Sequence, residues 1–450
     1  MLKDKQAKIN LLLVASLIFY AFWNIPFVFL LIGSFSLDYY LGIKLNGSNN
    51  VRIRKIILIV SLLSNLGTLF FFKYFGFFIS TTAGIINYFG GYFTPPLIEV
   101  VLPVGISFYI FHNLSYIIDI YYNKIPAERN YLRYATFVSF FPQLVAGPIL
   151  RASHFLPQFN KTRTFSWQIF YQGFFLISLG MFLKVVVADN LAPYVERVYD
   201  NSLQVTARSA WLATYAYSIQ IFCDFSGYSN IAIGLALLFG YHIPDNFNSP
   251  YASVSFSDFW RRWHISLSTW LRDYLYIPLG GNKKGERRTY INLALTMLLG
   301  GLWHGAAWNF VAWGAAHGFY LGVERKFKLN KINSHNLLGL VFRRLIIFHL
   351  VCLTWVLFRA SFTRAGNLLQ SMVGLNENGF DVLGLLPSCS IVAILLITLF
   401  LQNYFANLNI IDFATTHKVN SFAFVLITSF MWICIIILTG NSNAFIYFQF

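Results

Sequence analysis

The sequence predicts an all-α, polytopic membrane fold, on three observations. Of its 450 residues, 57% are hydrophobic and only 11% charged, whereas a soluble domain carries about 25% charged residues. The mean hydropathy is +0.59. Apolar runs long enough to enter a hydrocarbon core of about 30 Å recur from one end of the chain to the other.

The segment 9–42 reads as two shorter passes, because Asn24-Ile25-Pro26 interrupts it and proline ends or kinks a helix at the residue before it. Further runs cover 55–79, 98–122, 131–149, 166–188 and 208–240, then 289–322, 340–359, 390–408 and 420–438. Together they suggest roughly ten to twelve membrane elements. No polar stretch is long enough for a separate soluble domain, so 1–450 is expected to form one integral-membrane domain. MLKDKQAK followed by an apolar run resembles a signal peptide, yet it lacks a small-residue cleavage site and is expected to stay attached.

A formal net charge of +16 would suit a nucleic-acid binder if the basic residues shared one face, but they sit in short loops between apolar runs. VRIRK (51–55), NKKGERR (282–288) and ERKFKLNK (324–331) are the clearest, and such loops mark the cytoplasmic side. Cys223, Cys352, Cys389 and Cys434 lack CxxC spacing, so neither a disulfide framework nor a zinc site is indicated, and they are read as packing residues.

Two histidines stand in apolar surroundings, where an ionisable ring is usually paired, lining a cavity or functional. His304 lies in LLGGLWHGAAWN. With basic loops on both sides facing the cytoplasm, residues 289–323 must enter the membrane and return, which is short for two spans of about 20 residues. The segment predicts a tight hairpin, with Gly300, Gly301 and Gly305 allowing close backbone approach. His304 then lies about 24 Å along a helical path from Arg288. The alternative is a packing histidine bonded to a carbonyl.

His264 lies in SDFWRRWHIS. Ser255-Phe256-Ser257-Asp258 has capping-box spacing, and Asp258 suits the positive end of a helix dipole. From there Arg261, His264, Ser268 and Arg272 recur at helical steps and predict one polar stripe facing water or an internal passage. An interfacial helix with an aromatic belt is the competing reading. Asp224 is expected to neutralise Arg261 or Arg262, since a buried carboxylate needs a cation or several donors. His112 and Asp119, seven apart on one helical face, are expected to form a similar buried pair. His242, His317 and His349 lack metal-ligand spacing such as HExxH and receive no chemistry.

LPVGISFYIFHNLSYIIDIYY (102–122), FFPQLVAGPILR (140–151), DFSGYSNIAIGLA (224–236), DFWRRWHISLSTWLRDYLYIPLGGN (258–282) and GGLWHGAAWNFVAWGAAHG (300–318) occur in this order. Together they resemble the bacterial membrane-bound O-acyltransferase (MBOAT) family, in its alginate O-acetylase and peptidoglycan O-acetylating branch. The resemblance extends from near Val14 to Phe450. It implies a ring of tilted and re-entrant helices around a central tunnel, His304 as the catalytic histidine and His264 as the second motif histidine. Arg261, Trp303, Asp224 and Ser268 fall in the same motifs as supporting or substrate-binding positions. Members of this branch usually carry a further hydrophobic stretch ahead of the segment that begins here at Ile9.

The implied reaction moves an acyl group, acetyl above all, from cytoplasmic acyl-CoA outward to an extracytoplasmic polysaccharide, with an SGNH-like O-acetyltransferase as partner and no metal or bound cofactor. Histidine, with an unperturbed pKa near 6.5, suits the base that takes the hydroxyl proton. Donors to the tetrahedral intermediate are expected from His264, Arg261 or backbone amides near Gly305. The uncharged, aromatic AFIYFQF (444–450) resembles a terminal motif in which tyrosine carries the acyl group, and Tyr447 is the matching position. An aromatic anchor at the interface is the alternative for that segment. For the whole chain the alternatives are D-alanyl transfer to a cell-envelope polymer and a transporter or channel with proton-relay histidines.

Overall fold

The structure is a computed structural model that describes residues 4–95, 100–161, 165–201, 204–329, 336–376, 379–406, 421–440 and 444–446. The described chain is helical, apart from one isolated bridge between Val205 and Phe380. Its contacts divide it into two compact units, one of residues 1–166 and 236–244, the other of 167–235 and 245–450.

The first unit holds α1 (Lys5–Ala21), α2 (Ile25–Gly47), α3 (Val51–Tyr88), α4 (Ile106–Tyr121) and α5 (Tyr131–Ser139). The charged start is a helix cap, since the Asp4 carboxylate accepts the N–H groups of Gln6 and Ala7. As expected, the chain breaks at Asn24, which is extended, and Pro26 lies in the first turn of α2. The apolar run 131–149 does not form one element. α5 ends at Ser139, and Pro142 falls in the first turn of a separate one-turn helix, Phe141–Leu144. Within 98–122 only Ile106–Tyr121 is helical among the described residues.

A buried polar network ties four of these helices together. The Asp38 carboxylate of α2 accepts from Ser61 and from Asn65 Nδ2 at 2.6 Å, both on α3, and Asn113 of α4 accepts from Tyr134 at 2.9 Å. Asn113 Nδ2 reaches Asn65 Oδ1 at 3.5 Å, closing the chain of bonds. His112 and Asp119 do not pair with one another. His112 Nε2 accepts the Leu150 N–H at 3.1 Å, and Asp119 pairs with Lys124 at 3.1 Å. Seven residues of helix separate the two by about 10 Å, so each takes a nearer partner.

The second unit holds α6 (Trp167–Tyr199), α7 (Ala207–Leu238, whose last residues group with the first unit), α8 (Phe256–Arg262), α9 (Ile265–Leu271), α10 (Glu286–His304) and α11 (Trp308–Lys326). It continues through α12 (Leu337–Arg359), α13 (Phe362–Met372), α14 (Leu385–Tyr404) and α15 (Ser421–Leu438). Among the described residues, six helices, α2, α3, α6, α7, α12 and α14, are long and apolar enough to cross a membrane. Cys223 and Cys352 are buried packing residues as expected, whereas Cys389 is exposed.

The hairpin expected over 289–323 is present as α10 and α11, each of 19 residues, so each is about 28 Å long and nearer a full span than the sequence suggested. The two helices touch backbone to backbone. A Cβ on Gly301 would lie 2.3 Å from the Phe310 carbonyl oxygen, and one on Gly314 would lie 2.4 Å from that of Met297. Glycine is the residue that permits such an approach between membrane helices.

Gly301→Ala therefore forces the hairpin apart and should lower stability by about 1–3 kcal/mol. Gly33→Ala, on α2 where a Cβ meets nothing within 4 Å, should be neutral or stabilising because alanine is the better helix former. Thermal melting of the two variants in detergent tests the contact; equal melting temperatures would remove it.

Candidate active site

Each of the two histidines sits where a helix stops. His304 is the last residue of α10, and Gly305 follows in an extended conformation. A side chain at 305 would run into the Phe310 ring at 2.1 Å, so glycine keeps the turn of Gly305, Ala306 and Ala307 tight and brings His304 to the head of the hairpin. His264 forms the junction between α8 and α9, with Trp263 extended and His264 itself left-handed, at φ 43° and ψ 54°. For a non-glycine residue that conformation costs on the order of 1–2 kcal/mol, and strained residues of this kind gather at functional sites.

The clip that imposes the strain is visible in the backbone. Asn246 lies on the extended segment that precedes α8. Its carbonyl accepts the Ile265 N–H at 2.9 Å, and its side-chain oxygen accepts the Ser266 hydroxyl at 2.8 Å and the Ser266 N–H at 3.3 Å. Its amide donates to Ser229 of α7 at 3.2 Å, and Asn248 N–H bonds the Arg262 carbonyl at 2.9 Å. Backbone groups that a broken helix leaves open thereby find partners within the chain.

Both rings are buried, at 0% exposure for His264 and 4% for His304, and their centroids lie 6.2 Å apart. Trp303 spans the pair, 5.8 Å from His264 and 5.0 Å from His304. Phe225 meets the His264 ring edge to face at 4.6 Å. Trp313 and Phe358 each meet the His304 ring at 5.2 Å. The two imidazoles thus lie side by side in an aromatic cage.

Two expectations require correction. The polar stripe of Arg261, His264, Ser268 and Arg272 does not run along one helix, because the chain turns at Trp263 and His264. Arg261 is exposed at the end of α8, Ser268 donates to the Trp263 carbonyl at 3.1 Å, and Arg272 pairs with Asp273 at 2.7 Å. Asp224 pairs with Lys184 at 2.8 Å rather than with an arginine of α8, and Arg262 is held by Asp258 at 2.9 Å. The capping box itself is present, since Ser255 Oγ accepts the Asp258 N–H at 3.1 Å. Tyr447 lies outside the described residues.

Several residues that the sequence did not single out belong to this site. Trp313 separates His304 from a third buried histidine, His317, with which it shares a 4.8 Å ring contact. His317 Nε2 lies 3.0 Å from Thr354 Oγ1, whose own proton goes to the Val351 carbonyl, so the imidazole is the donor. The Trp313 indole N–H is buried with no acceptor among the described residues. Glu324 of α11, 4% exposed, accepts the Phe256 and Ser257 N–H groups and so caps the helix that leads to His264. Only the apolar context of W and H in GGLWHGAAWNFVAW hinted at such a cage.

A family model described as MBOAT, membrane-bound O-acyltransferase family, matches residues 122–358, a span that contains both histidines. The chain is 42% identical over 425 residues to a probable alginate O-acetylase of Pseudomonas putida, covering 91% of this chain and 85% of that protein. It is 45% identical to a probable alginate O-acetylase of Azotobacter vinelandii over 78% of this chain and 69% of the relative. It is 39% identical to a peptidoglycan O-acetyltransferase of Helicobacter pylori, over 81% and 73%. A teichoic acid D-alanyltransferase of Bacillus subtilis is 29% identical over 57% of this chain and 68% of its own length.

The left-handed backbone at 264 separates two effects of substitution there. His264→Gly and His264→Ala both remove the imidazole, but glycine accepts φ 43° without strain. His264→Gly should therefore be the more stable of the two by about 1 kcal/mol, read as a melting temperature a few degrees higher. Identical melting curves would show that the junction relaxes and stores no strain.

Proposed function

Because the chain belongs to the membrane-bound O-acyltransferase family it is an O-acyltransferase, and we propose that it moves an acetyl group from cytoplasmic acetyl-CoA outward for O-acetylation of an extracytoplasmic polysaccharide. The observation that carries the proposal is the buried His304 at the head of the hairpin, its ring 6.2 Å from that of His264. The similarity to alginate and peptidoglycan O-acetylating proteins, higher in identity and coverage than that to the D-alanyltransferase, favours acetyl over D-alanyl. All of 1–450 works as one membrane domain in the bacterial inner membrane, with an SGNH-like O-acetyltransferase receiving the group outside.

The donor enters from the end of the hairpin where the basic residues lie. A cleft of about 330 Å³ there is lined by Tyr276, Arg325 and Lys328 together with the carboxylates of Glu286 and Glu324, and the two cations are the groups to meet the phosphates of the donor. His304, at the other end of α10, takes the proton from an attacking hydroxyl. The hydroxyl oxygen bonds to the thioester carbonyl carbon and the carbon–sulfur bond breaks. The thiolate, a good leaving group with a pKa near 8.5, takes the proton back from the imidazolium. The negative charge on the carbonyl oxygen during this step meets His264, the Trp313 N–H or amides near Gly305. No step calls for a metal or redox group.

The hydroxyl in this reading is that of Tyr447. A phenyl ester, with a leaving group near pKa 10, lies between a thioester and a sugar ester, so transfer to tyrosine and then to the next acceptor both run downhill. Two contacts support this role. The described residues next to Tyr447, Ala444 and Ile446, line a cavity together with Arg359, and the neighbouring Phe358 packs on His304.

Purified protein given labelled acetyl-CoA should turn it over with a rate that falls about 10²–10⁴-fold in His304→Ala, the range removed with a general base. Equal turnover in both would overturn the assignment. Tyr447→Phe should abolish acetyl transfer to the polymer while hydrolysis of the thioester persists, and undiminished polymer acetylation would sink the carrier role.

A further inference from the structure

Charge inside a membrane helix is costly and is kept where it does something. The second unit holds one such cluster apart from the histidine pair. Lys184 Nζ lies 2.7 Å from Asp189 Oδ1 and 2.8 Å from Asp224 Oδ1, with side chains only 8%, 8% and 2% exposed. A π-helical stretch over Phe182–Ala188 carries the lysine, and such stretches frequently mark functional positions. Gly227 presses α7 against α6 at this level, since a Cβ there would lie 2.8 Å from the Gly180 carbonyl and 3.3 Å from Lys184 N.

An apolar pair would join the two helices at least as well, because replacing a buried ion pair by well-packed hydrophobic residues is often neutral or stabilising. What the charges add shows in what they hold. Asp224 gives one oxygen to Lys184 and the other, at 2.9 Å, to the backbone N–H of Ile446. Lys184 Nζ also lies 4.8 Å over the Phe445 ring, whose edge meets Tyr228 at 4.9 Å. Asn190, one residue past Asp189, donates to the Leu438 carbonyl at 3.1 Å, fixing the chain where it leaves α15.

We infer that Lys184, Asp189 and Asp224 form an intramembrane latch for the carboxy-terminal segment, positioning residues that fix its backbone at Ile446 beside a small polar cavity. That cavity, of about 40 Å³, is lined by Tyr217, Gln220, Glu196 and Arg359 as well as by Lys184 and Asp224 of the latch. The Tyr217 hydroxyl and Gln220 Oε1 are buried with no bond to another described residue. A volume that holds a few waters also admits a two-carbon acyl group. The functional meaning rests on the proposal that Tyr447 carries the acetyl group, since the latch grips the residue immediately before it. The grip itself is independent of that proposal.

The test uses the full chain in lipid nanodiscs with two readouts, the rate at which carboxypeptidase removes the terminal residues and the fraction of terminal peptide acetylated by labelled acetyl-CoA. Asp224→Ala should speed terminal release at least tenfold and lower acetylation of the peptide at least tenfold. Asp224→Asn should restore both to within threefold, because the amide oxygen accepts the same N–H. Should Asp224→Ala not fold, Phe445→Ala leaves the buried charges intact and should loosen the segment in the same direction. Terminal release and labelling equal to wild type in Asp224→Ala or Phe445→Ala would overturn the latch. Release that depends on Asp224 in a protein whose Tyr447 never becomes labelled would support the latch and remove the carrier.

Discussion

An apolar interior punishes any backbone group that loses its partner, and the rest of this structure depends on how that constraint is met. A continuous helix satisfies itself, but a functional side chain on a continuous helix is fixed by the helix axis. The second unit breaks its helices at Trp263-His264 and at Gly305-Ala306-Ala307, each beside a buried histidine. At the first break the exposed groups are taken up by Asn246, Asn248 and Ser268. At the second the gap is kept short by the contact of Gly301 and Gly314 and by a Gly305 that leaves space only for the Phe310 ring. Each break presents one imidazole, so the supports of the backbone are also the supports of the site.

Aromatic residues then take the place that water would hold. Trp303, Trp313, Phe225 and Phe358 surround the two rings, and a site so lined strengthens the few polar interactions left in it. Glu324 links the cage to the basic end of the hairpin, because its carboxylate caps α8 from α11. The end where a donor is proposed to bind and the histidine junction therefore belong to one hydrogen-bonded frame.

Composition and long apolar runs made the helical membrane class and most helix positions legible. The run 208–240 became a helix over Ala207–Leu238 because no proline interrupts it. The run 131–149 did not, because Phe140-Phe141-Pro142 looks apolar to a hydropathy count while its proline starts a new turn. Both histidines stood out by their surroundings. The stripe through Arg261 and Arg272 failed because helical periodicity presumes a continuous backbone, and a left-handed histidine leaves no mark in a sequence. Asp224 drew the wrong partner for a similar reason. Its cation, Lys184, stands inside an apolar run that reads simply as a membrane helix, and only the packing of α6 on α7 brings the two together. Asp38, with Ser61 and Asn65 for partners, was likewise hidden by separation along the chain.

The π-helical stretch at Phe182–Ala188 has a consequence of its own. Such a turn amounts to one residue added to an α-helix, and each added residue rotates everything beyond it by about 100°. Chain length within α6 thus governs which way Lys184 faces, as much as the chemistry of any neighbour does. Removing a single residue from this stretch would leave every motif readable in the sequence, yet would turn the lysine out of register with Asp224.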